Sequence, residues 1–482
     1  MHRIKIIFLL FWGLLFYNKN FCQDPNIIAA GSTLTLKQCV DIAIKNNLQV
    51  EQSGLTMQTN GIYKNQAIAN LLPTINASAS QGTNFGKSIN PTTYAYINQQ
   101  QNTGSYSLNA GLTLFSGLQL QNIIKQSEYA FDASKMDWQQ QKDNITLNVL
   151  LAYLLVLSNQ DLLAITRQQA DVDAKSVERL QLQNNDGAIA PSTLYDLKGQ
   201  YAGDMVSITN GINTLESAKV ILFQIMNMPY QKDVQYEKIS IDVPVTDYQK
   251  NSDSIYQTAL NVLPVIKSVD LKIKAFQKAV EVNRSQFYPT LSLYGSVSSN
   301  YSNLATSTVL GSVTPVTTSD YVTVGGTNYN VITQQQNAII SKTSFGDQFK
   351  NNRYTQIGLS LQVPILNYLR VRNNVKIAKV NLQNAEYIAN NTRLQLQQSV
   401  ELAYQNMAAA NGQFKAYQEQ VAAYAESFRA AEIKFNAGAI TSVDYIIAKN
   451  NIDKANTNLT AAKYNYIFRT KILDYYQGKL SW

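Results

Sequence analysis

The sequence predicts a mainly helical protein that also carries strands of a membrane β-barrel, as two structural repeats, each of two strands plus a long helical hairpin. Three observations lead there. First, the punctuation is doubled: Gly111 to Ser116 and Gly358 to Val363 are alternating strands that run into helices, and the turn at 185–192 resembles that at 436–443. Phe115 to Gly187 and Leu366 to Gly438 both span 72 residues, and equal spacing of like features marks a duplicated unit. Second, the strand segments are apolar on one side and small-polar on the other, the pattern of barrels in lipid. Third, Leu118 to Asn184 is 67 residues without Pro or Gly, and Leu369 to Phe435 is again 67, interrupted only by Gly412.

Taken in order, Arg3 and Lys5 precede the apolar run Ile6 to Tyr17, and polar residues follow. This is a signal peptide over 1–22, too short to be a transmembrane helix. Cys22 is alternatively a lipidated N-terminus, for which Asn20 and Phe21 are unfavourable neighbours because that processing favours small residues. The first repeat, 33–228, opens with a helix over 35–70. Strands follow at about 74–84 and 104–115. In the second of these, Tyr106, Leu108, Ala110, Leu112 and Leu114 oppose Ser107, Asn109, Gly111 and Thr113. A long helix over 118–184 reaches the turn at Gly187, and a helix over 192–228 returns, with Pro191 suited to its first turn. Residues 229–251, with Pro229, Pro244 and mixed charge, read as a linker or small equatorial element. The second repeat, 252–478, has a helix over 252–286, strands at about 290–299 and 354–364, a long helix over 369–435 and a helix over 442–477. At 1.5 Å per residue each long helix spans ~100 Å. The connections 85–103 and 301–353, rich in Ser, Thr, Asn and Gly, read as long loops on an exposed face.

Four strands do not close a transmembrane barrel, and open edges are not tolerated in lipid. Other copies of the chain must complete it: two give eight strands, three give twelve. A sandwich with one wet face is the competing reading of the strands. It is disfavoured by the few strand signals in 482 residues and by the uncharged polar faces of the second and fourth strands. Tyr94, Tyr96, Tyr106, Tyr288, Tyr301 and Tyr354 near the strand ends suit a membrane interface.

Composition excludes several functions. The single histidine is His2, and the cysteines are Cys22 and Cys39, so no metal site and no cofactor is expected. Removing Arg3, Lys5 and Lys19 with the signal leaves 37 basic against 32 acidic residues, with no basic run to mark nucleic-acid binding. No GxxxxGK[ST] motif is present. An enzyme is not expected: no nucleophile–base set survives without histidine, and Asp196, Asp204 and Glu216 read as members of solvated helix faces.

The strand-to-helix junctions (Gly111 to Gly117, Gly358 to Asn367), the strand starts Leu72 to Thr74 and Tyr288 to Thr290, and the tips at Gly187 and Gly438 together resemble the TolC family of outer-membrane efflux channels, in order over about 33–478. The resemblance implies a homotrimer with a 12-stranded barrel in outer-membrane lipid and a periplasmic α-helical tunnel. It implies a passive duct, for efflux or for type I secretion, fed by an inner-membrane pump through a periplasmic adaptor (membrane fusion) protein that grips the tips at Gly187, Ala188, Gly438 and Ala439. The family closes its periplasmic end with aspartates after the tips. Asp444 falls on one such position and Ile447 on the other. Thr193 stands at a tunnel-lining acidic position, Ile440 at an arginine position, and Phe435 in place of a hydrogen-bonding tyrosine. The implied gate is therefore less polar, and carboxylates converging at Asp444 would resist simultaneous ionisation. A membrane-anchored trimeric coiled-coil stalk or adhesin is the alternative, disfavoured by strand pairs that recur between long helices.

Overall fold

A computed structural model describes residues 31–89, 94–238 and 251–479. The expected signal peptide, Cys22 and most of the inter-repeat linker lie outside the described residues. In chain order the elements are β1 (Thr33–Leu34), α1 (Leu36–Asn46), α2 (Leu48–Ala69), β2 (Thr74–Asn84), β3 (Lys87–Ile89), β4 (Tyr96–Asn98), β5 (Gln101–Phe115), α3 (Gln119–Asn185), α4 (Pro191–Ile225), β6 (Gln235–Tyr236), α5 (Ser252–Val262), α6 (Pro264–Ser285), β7 (Thr290–Ser302), β8 (Thr306–Val324), β9 (Thr327–Lys342), α7 (Phe345–Asn351), β10 (Tyr354–Gln362), α8 (Arg370–Asn436) and α9 (Ser442–Tyr476).

The duplication is carried by helix length. Both repeats use helices of 11, 22, 67 and 35 residues in that order. This corrects the single helices expected over 35–70 and 252–286, each of which is broken once. At Asn47 the backbone turns extended (φ −72°, ψ 119°). Leu263 does the same (φ −67°, ψ 131°), because Pro264 disfavours helical geometry in the residue before it and then starts α6. The strand-to-helix junctions are also duplicated. Gly117 and Leu118 hold φ of 63° and 64°, and Tyr368 and Leu369 hold 54° and 58°.

The described residues fall into two compact units. One contains the chain up to Gln58, Asp132–Asp270 and the chain from Tyr387; the other contains Thr59–Phe131 and Leu271–Glu386. In the second unit, β10, β7, β5 and β2 form an antiparallel sheet in that order. Its register sorts side chains by face. Ile357, Gly295, Ala110 and Ile75 make one cross-strand row; Gln356, Ser296, Asn109 and Asn76 make the next. The apolar face is bare: Ile75, Ile357, Leu359 and Leu361 are all more than 60 % exposed. Among the described residues, both edges, β10 and β2, are unpaired.

The expected loops are not loops. Residues 301–353 contain an antiparallel hairpin, β8 with β9, and the short helix α7; residues 85–103 contain the small hairpin β3–β4. The larger hairpin turns at Gly325 and Gly326, both with positive φ, between runs rich in Val, Ile, Thr and Tyr. This is the two-residue hairpin signal, masked in the sequence by the Ser, Thr and Asn around it. At its base Thr343 N–H donates to Ala305 O at 3.0 Å. Gln348 of α7 is buried and tied to both chain directions, accepting from Ser302 N and donating to Ser302 O and Thr343 O.

In the first unit, the apolar stretch of α3 supplies the core. Val149, Tyr153 and Val156 pack with Leu222, Phe223 and Met226 and with Cys39 and Val40, all at 2 % exposure or less. Each such side chain contributes about 1.5–3 kcal/mol by leaving water. The Tyr153 hydroxyl lies 2.9 Å from Leu34 O and 2.8 Å from Glu237 O, so it bridges the ends of the parallel pair β1–β6. Burial pushes the Cys39 thiol up to about 12, so it is an inert apolar filler. A second cluster uses α5, α8 and α9 around Ile255, Val400, Met407 and Leu473.

Candidate gate and adaptor surface at the hairpin tips

Both tips lie in the first unit and are built alike. After α3, Gly187 N–H donates to Asn184 O and Ala188 N–H to Gln183 O at 2.8 Å. After α8, Gly438 N–H donates to Phe435 O and Ala439 N–H to Lys434 O at 2.8 Å. This paired closure needs a left-handed residue, and Gly187 and Gly438 supply it with φ of 70° and 72°. An added Cβ at either glycine would meet nothing within 4 Å. All four tip residues, Gly187, Ala188, Gly438 and Ala439, are exposed.

The restart differs. Pro191 begins α4 without a side-chain cap. Thr441 caps α9: its hydroxyl accepts from Asp444 N and donates to Asp444 Oδ2 at 2.7 Å, and its own N–H donates to the same carboxylate. These bonds, side chain first and backbone second, hold the Asp444 carboxyl below the usual carboxylate range. Within one chain the effect is thus opposite to the raised value expected of converging carboxylates. Asp444 and Ile447 share an exposed face of α9 with Val443. Thr193 is half-exposed in the first turn of α4, its N–H on Ala190 O.

Phe435 and Ile440 instead turn into the chain. They join an apolar cluster around Leu180, Leu194, Leu197 and Tyr445. Phe435 stacks on Tyr445 with centroids 4.6 Å apart and planes at 19°, and Phe428 approaches the same ring at 5.6 Å. Tyr445 is 1 % exposed. One polar bridge adds to this: Ser442 Oγ donates to Asp196 Oδ2 at 2.9 Å.

Ser442, Tyr445 and Lys449 were not singled out in the sequence. In the sequence, Asp196 reads as solvated; it is exposed and also accepts from Ser442. Glu216, read likewise, accepts from Tyr230 and pairs with Lys219. Asp204, the third, has a buried carboxylate oxygen. The signal was available on α9. Ser442, Tyr445, Lys449, Ile452 and Ala455 are all buried at spacings of three and four, a core stripe that includes one lysine. Among the described residues no group of His, Cys, Asp or Glu is arranged to hold a metal ion.

An open antiparallel sheet with a bare apolar face, and duplicated 67-residue helices closed by paired glycine tips, define an outer-membrane channel protein of the TolC-like fold. The chain belongs to the outer membrane efflux protein family, matched over residues 39–227 and 255–469. It is 23 % identical over 387 residues to the outer membrane protein TolC of Escherichia coli strain K12, covering 78 % of this chain and 70 % of that one. The fold matches the Campylobacter jejuni CmeC outer membrane channel with a TM-score of 0.68 at 17 % identity, over 92 % of this chain and 86 % of that one. It also matches the outer membrane protein VceC of Vibrio cholerae with a TM-score of 0.70 at 13 % identity, over 92 % and 96 %. The protein is an efflux-family channel of the cell outer membrane.

Proposed function

We propose that three copies assemble into a 12-stranded barrel continued by a periplasmic helical tunnel, forming a passive exit duct of a tripartite efflux or type I secretion system. The observation that carries this is the four-stranded sheet, apolar face exposed and both edges unpaired, which lipid tolerates only in a closed barrel. Cargo arrives from an inner-membrane pump through a periplasmic adaptor. The adaptor contacts the exposed, small tip residues Gly187, Ala188, Gly438 and Ala439, where the lack of side chains permits close helix approach. Asp444 and Ile447, on a face of α9 not used within the chain, line the periplasmic constriction with Thr193. Phe435 and Ile440 support that constriction from behind through Tyr445.

The test is single-channel conductance of the purified oligomer in a planar bilayer. Wild type should give small, steady openings blocked by cations. Asp444→Ala should enlarge them or relieve the block. Equal conductance would remove Asp444 from the gate, and an inserted trimer that does not conduct would overturn the duct.

A further inference from the structure

Some 11 residues beyond the second tip, the buried stripe of α9 carries Lys449, which is 2 % exposed. Its ammonium lies 2.6 Å from Asp453 Oδ2 on its own helix and 3.0 Å from Asp173 Oδ2 on α3. Asp173 is 1 % exposed. Both of its carboxylate oxygens, and Oδ2 of Asp204 on α4, are shut off from water without a well-directed hydrogen-bond donor. Lys449 therefore engages Asp173 by charge, and the Asp173 and Asp204 carboxyl groups meet with only a proton available to join them. One ammonium does not neutralise three carboxylates in a site of low polarity.

The surrounding polar groups are accounted for. On α3, Gln169 donates to Asp453 O, and Ser176 bonds to Tyr445. On α4, Gln200 reaches Asp204 Oδ1 and Asn450 Oδ1. From α8, Glu432 acts on Tyr445, and Phe428 lines a cavity of about 430 Å³ together with Gln169 and Val172 of α3 and Lys449 and Asp453 of α9. None of these brings a second cation.

We propose that Asp173, Asp204, Lys449 and Asp453 form a proton-controlled latch that binds the α3–α4 hairpin to α9. With a proton held between Asp173 and Asp204, the cluster has one negative charge fewer and both orphaned carboxyl groups are joined. With that proton lost, two carboxylates face each other in a buried site, and the contact between α9 and the first hairpin is loosened. Burial, reinforced by Asp204 and opposed by Lys449, pushes the Asp173 carboxyl up to about 7. Asp453 is raised in the same sense by burial, against Lys449. Burial pulls Lys449 down, but Asp453 and Asp173 outweigh it and keep the ammonium charged. Because the packed cluster holds a proton that a separated carboxyl would release near its ordinary value, packing is favoured on the acid side. It weakens as pH rises through about 7. If the duct reading holds, the latch makes opening at the tips easier at alkaline than at acid pH.

The test is hydrogen–deuterium exchange of the detergent-solubilised oligomer, corrected for intrinsic rates, over the peptides holding 169–177, 197–207 and 445–457. In the wild type, protection of the α9 peptide should fall about tenfold between about pH 6 and about pH 8. Asp173→Asn, whose amide donates to Asp204 at every pH, should stay protected throughout. Asp204→Asn, which removes the like charge and donates to Asp173, should move the transition to lower pH and serves if the first variant does not assemble. A flat wild-type profile, or profiles indistinguishable between wild type and variants, would overturn the latch. Exchange reads the latch whether or not the oligomer conducts, so a pH-dependent profile in a non-conducting protein would refute the duct and leave the latch standing.

Discussion

Two residues show how local geometry limits substitution. At Gly117 the backbone is left-handed, and an added Cβ would lie 2.6 Å from Tyr288 Cβ and 2.7 Å from Ser285 O. Neither neighbour is the free end of a flexible side chain, so Gly117→Ala should destabilise by about 1–3 kcal/mol, seen as a lower thermal midpoint of the purified oligomer. At Thr441 the consequence is electrostatic. Thr441→Val removes the hydroxyl that is the main cause of Asp444's lowered value and leaves the Thr441 N–H bond, so the Asp444 carboxyl should rise toward the ordinary range. Its lowered pKa gives stability that is present above that range and lost as pH falls through the folded value. The variant should therefore lose its advantage at neutral pH and converge with wild type in acid, as melting curves against pH would show.

At the scale of elements, legibility followed the strength of the local signal. The 67-residue helices were readable because they lack breakers, and the sheet strands because they alternate. The breaks at Asn47 and Leu263 were hidden: Asn47 sits in a helical pattern, and Pro264 is tolerated in a first helical turn, so neither marks two helices rather than one. The β8–β9 hairpin was legible in Gly325 and Gly326, but its strands have no core face and so offer no strict alternation to count. In the tips, the glycines were visible in the sequence; the cap that Thr441 forms on Asp444 was not singled out there. The inward turn of Phe435 and Ile440, and the burial of Lys449 against Asp173, were not, because they depend on which faces of α3, α4 and α9 meet. The first unit's core gives an element-level prediction. Tyr153→Phe strips the bridge between Leu34 O and Glu237 O and should cost about 1–2 kcal/mol. It should also raise amide exchange in β1 and β6 before the long helices are affected.

At the scale of the whole molecule, the proposed assembly makes the two faces of the sheet obey different rules. Leu359, more than half exposed on the apolar face, would touch lipid. Leu359→Arg should therefore cost about 2–4 kcal/mol near mid-membrane and reduce the folded oligomer recovered from membranes. Its neighbour Ser360 belongs to the polar face, paired with Ser292. Ser360→Lys should assemble normally and alter ion selectivity in a bilayer. Equal damage from both substitutions would show that the sheet does not separate lipid from a lumen.

The bond between Thr343 and Ala305 closes the β8–β9 hairpin at its neck, so everything beyond it enters and leaves through two adjacent points. That makes it a cassette. Excising 306–342 and joining the ends with a short glycine bridge leaves the sheet's strands the same distance to span, and inserting a tag between Gly325 and Gly326 extends a turn with open space around it. The same chain can then be labelled, captured or fitted with a foreign binding loop there without rewriting the strands beneath.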